Sequence, residues 1–324
     1  MNLARFPGTG DATLVMGILN VTPDSFSDGG RWACPDEAID HALRMTGAGA
    51  AIVDVGGEST RPGTERVDEA QELHRVIPVV TALAAEGVTV SIDTMRARVA
   101  ADALDAGAAL INDVSGGLAD PDMGPLVAAA GVPMVVMHWR GHSADMQRRT
   151  DYSMYNPMYN AMHNPMHDAM PNPMHDAPAG DAPDGGVPPV VAGVAVELAA
   201  RVAALLDAGV TEDQVIIDPG LGFAKTPEHN WQLLAHLDHL TGLGLPLLVG
   251  ASRKRFLGEL VDTVGDAGGV AQIALRDQAT AALSLVAGQA RVWGVRVHDV
   301  PGTVTALRVE AALRAARTHV GAHD

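Results

Sequence analysis

The chain of 324 residues is 47% hydrophobic and carries a formal net charge of −17. This length suits one large domain, and the acidic balance argues against nucleic acid as a partner, because a nucleic-acid surface needs an excess of basic residues. The single cysteine, Cys34, excludes an intramolecular disulfide and indicates a reducing compartment. We find no secretory leader at Met1–Ala12 and no apolar run of about 18 residues, so we expect a cytoplasmic protein without membrane contact.

Eight short apolar runs, rich in β-branched residues, predict buried strands. In chain order they are Leu14–Leu19, Ala51–Val55, Thr89–Ile92, Ala109–Ile111, Pro133–Met137, Gln214–Ile217, Leu245–Val249 and Arg291–Val295. A helical pattern follows each run, at Pro35–Ala48, Val67–Glu86, Met95–Ala106, Pro121–Ala130, Val191–Ala208, Pro227–Leu240, Ala271–Gly288 and Pro301–Ala316. This alternation predicts an α/β fold, a (β/α)8 TIM barrel formed as a single domain over residues 1–324. An open doubly wound sheet is the alternative, but the turn after the first run lacks its G-x-G-x-x-G sequence.

One segment interrupts the alternation after the fifth run. From Met154 to Ala177 the chain repeats a four-residue unit, Met-x-Asn/Asp-Pro/Ala, six times, and Pro/Gly/Asp-rich sequence follows. Regularly spaced prolines cannot remain in a helix, since each removes a hydrogen-bond donor and collides with the preceding turn. We therefore predict a flexible insertion over residues 151–189 within the barrel domain. The methionines and histidines of the repeat suggest a soft-metal site, but repeat expansion explains them without one.

Each strand run ends in polar residues, and in a parallel barrel these ends converge on the catalytic face. The loop that begins at Asn20 places one aromatic residue, Phe26, among polar ones, which suits stacking on a planar substrate. Asp93, Asn112 and Asp218 follow the third, fourth and sixth runs, a set that suits a flat heterocycle with a donor-rich edge. The alternative for each acid is an N-cap of the following helix.

Basic residues collect at the ends of three other runs. Arg61 lies in the glycine-bracketed loop after the second run, and the ends of the seventh and eighth supply Ser252, Arg253, Lys254, Arg255, Arg296 and His298. The loops after strands seven and eight commonly bind phosphate in this fold, and a guanidinium pairs with phosphate or carboxylate through two hydrogen bonds. The sequence thus predicts a two-part site for a donor-rich planar ring joined to a phosphorylated leaving group.

Seven motifs at these strand ends resemble those of dihydropteroate synthases, in the same order and over nearly the whole chain. They are Met16–Gly30 (MGILNVTPDSFSDGG), Val53–Gly63 (VDVGGESTRPG), Ser91–Thr94 (SIDT), Ile111–Gly117 (INDVSGG), Ile217–Thr226 (IDPGLGFAKT), Gly250–Gly258 (GASRKRFLG) and Arg296–Val300 (RVHDV). The resemblance implies a transferase of folate biosynthesis and a sulfonamide target. Such enzymes condense 6-hydroxymethyl-7,8-dihydropterin pyrophosphate with p-aminobenzoate and give 7,8-dihydropteroate and pyrophosphate.

The resemblance also implies roles for individual residues. The pterin would contact Asp93, Asn112, Met137, Asp218, Phe223 and Lys254, and p-aminobenzoate would contact Phe26, Thr60, Pro62, Ser252 and Arg253. Pyrophosphate would be held by Asn20, Arg61, Arg296 and His298, with Mg²⁺ as the cofactor bound at Asn20. The catalytic residues would be Asp93, Asp218, Lys254 and Arg296. One departure is Leu221, which stands where other members can carry an aromatic residue.

The implied reaction is a dissociative displacement assisted by Mg²⁺. Cations favour the departing pyrophosphate, while carboxylates favour the positive charge left on the pterin. The resemblance further implies a homodimer. Two alternatives are a methyltetrahydrofolate-binding methyltransferase domain, which has no use for the cationic motifs after strands seven and eight, and a non-catalytic paralogue that binds pterin without turnover.

Overall fold

The computed structural model describes residues 12–22, 35–58, 67–142, 146–156, 186–261 and 269–319. Four predicted site residues lie outside these ranges: Phe26, Thr60, Arg61 and Pro62. Most of the predicted insertion also lies outside them, and only its residues 151–156 and 186–189 are described. The flexibility expected of the repeat therefore stays a prediction.

Eight strands form one sheet in which the hydrogen-bonded neighbours run parallel. The strands are β1 Leu14–Asn20, β2 Ile52–Gly56, β3 Val90–Asp93, β4 Leu110–Asp113, β5 Met134–Met137, β6 Val215–Asp218, β7 Leu248–Val249 and β8 Gly294–Val297. Their order across the sheet is β6-β5-β4-β3-β2-β1-β8-β7. The two edges meet where Ile217 pairs with Leu247, and the Ile217 amide donates to the Pro246 carbonyl at 2.8 Å. The predicted barrel is confirmed.

Helices cover the barrel, and most begin and end within two residues of the predicted bounds. They span Pro35–Gly47, Glu69–Ala85, Ala97–Asp105, Met123–Ala130, Pro189–Asp207, Pro227–Ala235, Leu237–Thr241, Arg255–Val261, Val270–Gln289 and Val300–His319. The helix predicted over Pro227–Leu240 is divided at His236, whose backbone angles (φ −124°, ψ 38°) leave the helical region. The short helix Arg255–Val261 was not predicted, and only its first residue, Arg255, was placed in the polar end of the seventh run.

The helix after β6 begins at a fixed point. Thr226 precedes its first residue, Pro227, and the Thr226 hydroxyl accepts a hydrogen bond of 3.2 Å from the His229 amide. Such a cap satisfies an amide that has no partner in the first helical turn, and proline at the first position lacks that amide anyway. The cap therefore limits the preceding loop, which contains Phe223, to a short and defined span.

The two-residue alternation of the strands fills the barrel in layers. An apolar layer closes its lower half, made of Leu14, Met16, Ile52, Leu110, Val135, Ile216 and Leu248. Closer to the C-terminal strand ends, the inward positions hold Asp54, Asp93, Asn112, Met137, Asp218 and Arg296. The alternation that builds the apolar interior thus also brings charged groups to the upper end.

One helix among the described residues, Pro189–Asp207, is long and apolar enough to cross a membrane by length and composition alone, with a mean hydropathy of 1.8. It is an exception to the expectation that no apolar run reaches such a length. In the structure it lies against β5, and Val191, Val194 and Leu198 are buried in the core between helices and strands. Its apolar face is therefore used inside the domain.

Candidate active site

A network of charged groups occupies the upper end of the barrel. The Arg296 guanidinium donates from Nε to Asp54 Oδ2 at 2.6 Å and from Nη2 to Asp93 Oδ2 at 2.7 Å. Asn112 Nδ2 donates to the same Asp54 oxygen at 2.9 Å. Arg296 and Asn112, which the sequence placed at separate strand ends, are therefore joined through Asp54, and Arg296 links both to Asp93.

Asp54 is a site residue that the sequence analysis missed. Its side chain is fully buried, and the sequence signal was a single acid inside the otherwise apolar strand Ile52–Gly56. An isolated buried carboxylate is strongly disfavoured, so it requires a partner such as the Arg296 guanidinium. Asp54 therefore fixes the positions of both Arg296 and Asn112 from the side of the apolar layer.

Asp218 and Lys254 are two further charged groups of the site, and each shifts the pKa of the other. Asp218 Oδ1 accepts a 2.7 Å hydrogen bond from the Gly220 amide, and Lys254 Nζ donates to the Leu221 carbonyl. Burial raises the pKa of Asp218, opposed by Lys254, and burial lowers the pKa of Lys254 to about 8, opposed by Asp218. Lys254 Nζ also lies 4.6 Å from the centre of the Phe223 ring, a cation–π contact.

Glycine is required where the β6 loop turns across the site. Gly220 has φ +65°, and a Cβ at this position would lie 2.3 Å from the His138 carbonyl oxygen. Gly222 has φ +78°, and its Cβ would lie 3.0 Å from Lys254 Cδ. Both the backbone angles and the close approach exclude larger residues, so the loop passes directly beside Lys254.

Two further glycines leave room between the charged groups. A Cβ at Gly56 would lie 3.4 Å from Asp93 Cβ and 3.7 Å from Asn20 Oδ1. A Cβ at Gly250 would lie 3.5 Å from Asp218 Oδ2. The absence of side chains at these two strand ends keeps space above the carboxylates, as a flat ligand requires.

Ser252 and His298 are brought together at the ends of β7 and β8. The Ser252 hydroxyl lies 2.8 Å from His298 Nδ1 and accepts a 3.1 Å hydrogen bond from the His298 amide. The hydroxyl proton is then available to Nδ1, which places the ring proton of a neutral His298 on Nε2. Because the single hydroxyl proton is used by Nδ1, Ser252 orients the His298 ring, and the Nε2–H of this ring is the group suited to donate to an anion.

The charges are unevenly balanced in this part of the barrel. Three carboxylates, Asp54, Asp93 and Asp218, face two cations, Arg296 and Lys254. Burial raises the pKa of Asp93, opposed by Arg296 and reinforced by Asp54. The arrangement therefore favours a ligand that donates hydrogen bonds and gains positive charge.

The sequence of this chain is similar to that of known pterin-binding proteins. Residues 16–298 match the family described as pterin binding enzyme. The dihydropteroate synthase of Mycobacterium leprae (strain TN) is 50% identical over 298 residues, which are 92% of this chain and 92% of that protein. This chain belongs to the dihydropteroate synthase family.

Solved structures of dihydropteroate synthases share its fold. The Yersinia pestis enzyme with a sulfonamide drug complex has a TM-score of 0.75 at 36% identity, over 94% of this chain and 95% of that one. The Xanthomonas albilineans enzyme with 4-aminobenzoic acid has a TM-score of 0.73 at 39% identity, over 94% of each chain. The X. albilineans enzyme in complex with 7,8-dihydropteroate has a TM-score of 0.70 at 37% identity, over 94% and 95%.

Most of the described residues that the resemblance assigned to the pterin lie together in the structure. Asp93, Asn112, Asp218, Lys254 and Arg296 converge at the upper end of the barrel, and Met137 lies beside Asp218 as its strand partner. The family resemblance implied that Arg296 contacts pyrophosphate, whereas its hydrogen bonds in the structure join it to the carboxylates of Asp54 and Asp93. A role toward pyrophosphate stays a prediction.

Arg253 has a defined partner away from this group. Its backbone is in the left-handed region (φ +57°), and its guanidinium forms two hydrogen bonds, of 2.7 and 2.8 Å, with the Asp277 carboxylate on helix Val270–Gln289. This pairing orients the turn after β7. The contact with p-aminobenzoate expected from the family stays a prediction.

An ion-pair cluster that the sequence analysis did not find lies at Glu58 and Val67, on either side of positions 59–66. Arg96 donates to Glu58 Oε2 at 2.8 Å and to the Val67 carbonyl at 2.6 Å, and also to Glu72. Glu58 and Val67 are the described residues on either side of positions 59–66. Arg96 therefore joins the end of the segment after β2 to the residues that precede helix Glu69–Ala85.

Proposed function

We propose that this chain is a dihydropteroate synthase that condenses 6-hydroxymethyl-7,8-dihydropterin pyrophosphate with p-aminobenzoate, giving 7,8-dihydropteroate and pyrophosphate. The observation that supports this most directly is the buried Arg296–Asp54–Asp93 network beside Asp218 and Lys254. It offers acceptors to a donor-rich ring in a space left open by glycines. The named relatives and the substrate- and product-containing structures support the same reaction.

The proposed mechanism separates charge between the two halves of the site. As the bond between the pterin methylene and pyrophosphate breaks, the carboxylates of Asp93 and Asp218 stabilise the positive charge on the pterin. The amine nitrogen of p-aminobenzoate then bonds to the methylene carbon and loses a proton to solvent or to the pyrophosphate. This amine is neutral near pH 7, so no side chain is required as a covalent nucleophile.

The residues at the end of β1 fit a Mg²⁺ ion that is bound mainly by substrate. Asn20 offers an amide oxygen near Gly56 and Asp93, and the described residues contain no group of three or more His, Cys, Asp or Glu side chains placed to hold a metal. Mg²⁺ commonly takes one or two protein ligands and completes its shell with water and phosphate oxygens. Bound there, it would neutralise charge on the departing pyrophosphate.

Asn20→Ala should raise the Mg²⁺ concentration needed for half-maximal activity, by roughly 10-fold for the loss of one ligand contact. The measurement is a Mg²⁺ titration of turnover at saturating substrates. Asn156→Ala, which removes another half-buried asparagine away from β1, is the control. An unchanged Mg²⁺ requirement in the Asn20 variant would remove this residue from the metal site.

Pyrophosphate release tests the proposed reaction. The purified protein, incubated with the pterin pyrophosphate, p-aminobenzoate and Mg²⁺, should release pyrophosphate in an amount equal to the dihydropteroate formed. Binding of the pterin without release would instead show the non-catalytic paralogue. A protein that neither bound the pterin nor released pyrophosphate would contradict the assignment of the site.

Activity should decline as the pH rises through about 8, the lowered pKa of Lys254, because the pterin contact is made by the protonated amine. In Lys254→Arg this alkaline limb should move above pH ~10, since guanidinium groups stay charged there. The measurement is kcat/KM for the pterin substrate against pH. An identical alkaline limb in both proteins would show that another group titrates.

We further propose that the enzyme is a cytoplasmic homodimer. The single cysteine supports the compartment, and exposed apolar side chains on the last two helices, Val286, Val309 and Leu313, support the assembly. Burial of such side chains against a second copy would remove apolar surface from water. Light scattering of the purified protein would distinguish one chain from two.

A further inference from the structure

A chain of buried polar groups runs behind the pterin site, from the outer helix layer to the β6 loop. His138, directly after β5, lies with Nε2 2.9 Å from Glu197 Oε2 and with Nδ1 3.0 Å from Lys225 Nζ. Lys225 Nζ also donates to the Phe223 carbonyl at 3.0 Å. His138 and Lys225 are each 3% exposed, so these bonds are shielded from water. The reaction described above uses neither residue.

The direction of these hydrogen bonds is determined by chemistry. A carboxylate only accepts, so His138 Nε2 holds the ring proton toward Glu197, and Nδ1 accepts from Lys225. Burial, together with Lys225, lowers the pKa of His138 to about 4, which keeps the ring neutral. Burial, together with Lys254, lowers the pKa of Lys225 well below its usual range. An amine retains two N–H groups even when neutral, so Lys225 makes both bonds in either form.

At the outer end of this series of polar groups, Glu197 is bonded to Arg140 and Tyr155, and Arg140 in turn contacts Tyr152. Arg140 Nε donates to Glu197 Oε2 at 3.0 Å, and the Tyr155 hydroxyl donates to Glu197 Oε1 at 2.9 Å. The Arg140 guanidinium lies 3.8 Å above the Tyr152 ring, whose hydroxyl donates to the Ala224 carbonyl at 3.2 Å. The β6 loop is therefore bonded at two successive carbonyls, those of Phe223 and Ala224.

This loop has a conformation that needs such support. Ala224 is buried and has φ +50°, in the left-handed region that side-chain-bearing residues rarely adopt. A residue in this region is strained, and the conformation persists only when surrounding contacts impose it. The adjacent Phe223 ring packs against Lys254 Nζ, so any relaxation of the loop displaces both.

We propose that His138 and Lys225 are positioning residues, which fix the Phe223 carbonyl and thereby set the Phe223 ring and Lys254 for the pterin; this rests on the proposed function. Both ring nitrogens of His138 are engaged within the protein, so its ring is not placed to exchange a proton with a ligand. The role of His138 is thus exerted through Lys225 and Phe223.

The first test compares three variants. Lys225→Met removes the donor at similar volume, and should raise KM for the pterin pyrophosphate and the Kd of 6-hydroxymethylpterin at least about 10-fold. His138→Leu should act in the same direction, and His138→Gln, which keeps a donor toward Glu197 and an acceptor, should recover part of the affinity. KM for p-aminobenzoate should change less than KM for the pterin in each variant.

Gln214→Leu is the matched control. Gln214 is a buried residue at the opposite end of β6, and it donates to the Val127 and Val132 carbonyls at 2.9 Å each. Its loss should lower Tm without changing pterin affinity. A folded Lys225→Met protein with wild-type affinity and KM would overturn the proposal, and so would an equal loss of affinity in Gln214→Leu.

A second measurement keeps the proposal testable if the Lys225 and His138 variants fail to fold. Nitrogen-15 NMR of the wild-type full chain at pH 7 should show a neutral His138 with the proton on Nε2 and a hydrogen-bonded Nδ1. A charged ring, or a proton on Nδ1, would overturn the proposed chain of bonds. Pterin binding is measured without turnover, so it also separates a failure here from a failure of the proposed reaction, which would show as wild-type protein that releases no pyrophosphate.

Discussion

Asp218→Asn should lower kcat/KM for the pterin pyrophosphate at least about 100-fold, corresponding to roughly 3 kcal/mol of lost transition-state stabilisation. The amide has the shape of the carboxylate and can still accept from the Gly220 amide, so the β6 loop should keep its conformation. What is removed is the negative charge that faces the ring when pyrophosphate departs. The measurement is steady-state pyrophosphate release at varied pterin substrate.

The control for this variant is Asp213→Asn, the same chemical change at the other end of β6, where the side chain is exposed. It should retain wild-type kcat/KM. Matching circular dichroism spectra and Tm values would show that the Asp218 variant is folded. Near-normal turnover in a folded Asp218→Asn protein would remove this residue from the catalytic set.

Arg296→Met should both abolish most activity and lower the free energy of unfolding by about 3–5 kcal/mol, because it leaves Asp54 and Asp93 buried without their cation. The stability loss should depend on pH. Burial raises the pKa of Asp93 and Arg296 opposes this rise, so removing Arg296 raises the pKa further. The folded variant then holds a proton that the unfolded state has released over a wider pH range, and it loses more stability than the wild type as the pH rises. Urea unfolding at pH 5 and pH 8 should therefore show the larger deficit at pH 8.

A second substitution separates the two effects of Arg296. Asp54→Asn in the Arg296→Met background removes one of the two unpaired charges, and should recover part of the stability without recovering turnover. An Arg296→Met protein with the wild-type unfolding midpoint at both pH values would contradict the ion-paired arrangement. Recovered turnover in the double variant would show that Arg296 acts on stability alone.

The sequence predicted the barrel well because two simple periodicities specify it. The strand Val215–Asp218 is apolar until its last residue, and Val90–Asp93 has only Ser91 as a further polar residue before its terminal acid. In both strands the last residue lies at the C-terminal end, which is the catalytic end of a parallel barrel. Asp93 and Asp218 could therefore be placed without coordinates. The break at His236 could not, since it depends on local backbone angles within an unbroken helical pattern.

The missed site residues have a different origin. Asp54 lies inside a strand, whereas the prediction of site residues considered only the strand ends. One acid among apolar residues was nevertheless a visible signal. Glu197 lies in an apolar helix and meets His138 only after the helix packs on β5. Lys225 approaches from a third element. Contacts between elements distant in sequence carry no periodic pattern, so a single sequence does not reveal them.

The glycines at Gly56 and Gly250 have a consequence for inhibition. A Cβ at either position would make ordinary van der Waals contacts with Asp93 or Asp218, so the protein itself would tolerate a methyl group there. That methyl group would nevertheless take up room beside these carboxylates, in the cleft where we propose that the pterin ring binds. Both the substrate and any ring that competes with it would meet the same obstruction. Resistance to pterin-like inhibitors by narrowing this cleft would therefore impair folate synthesis itself, whereas the loops outside the cleft are free of that constraint.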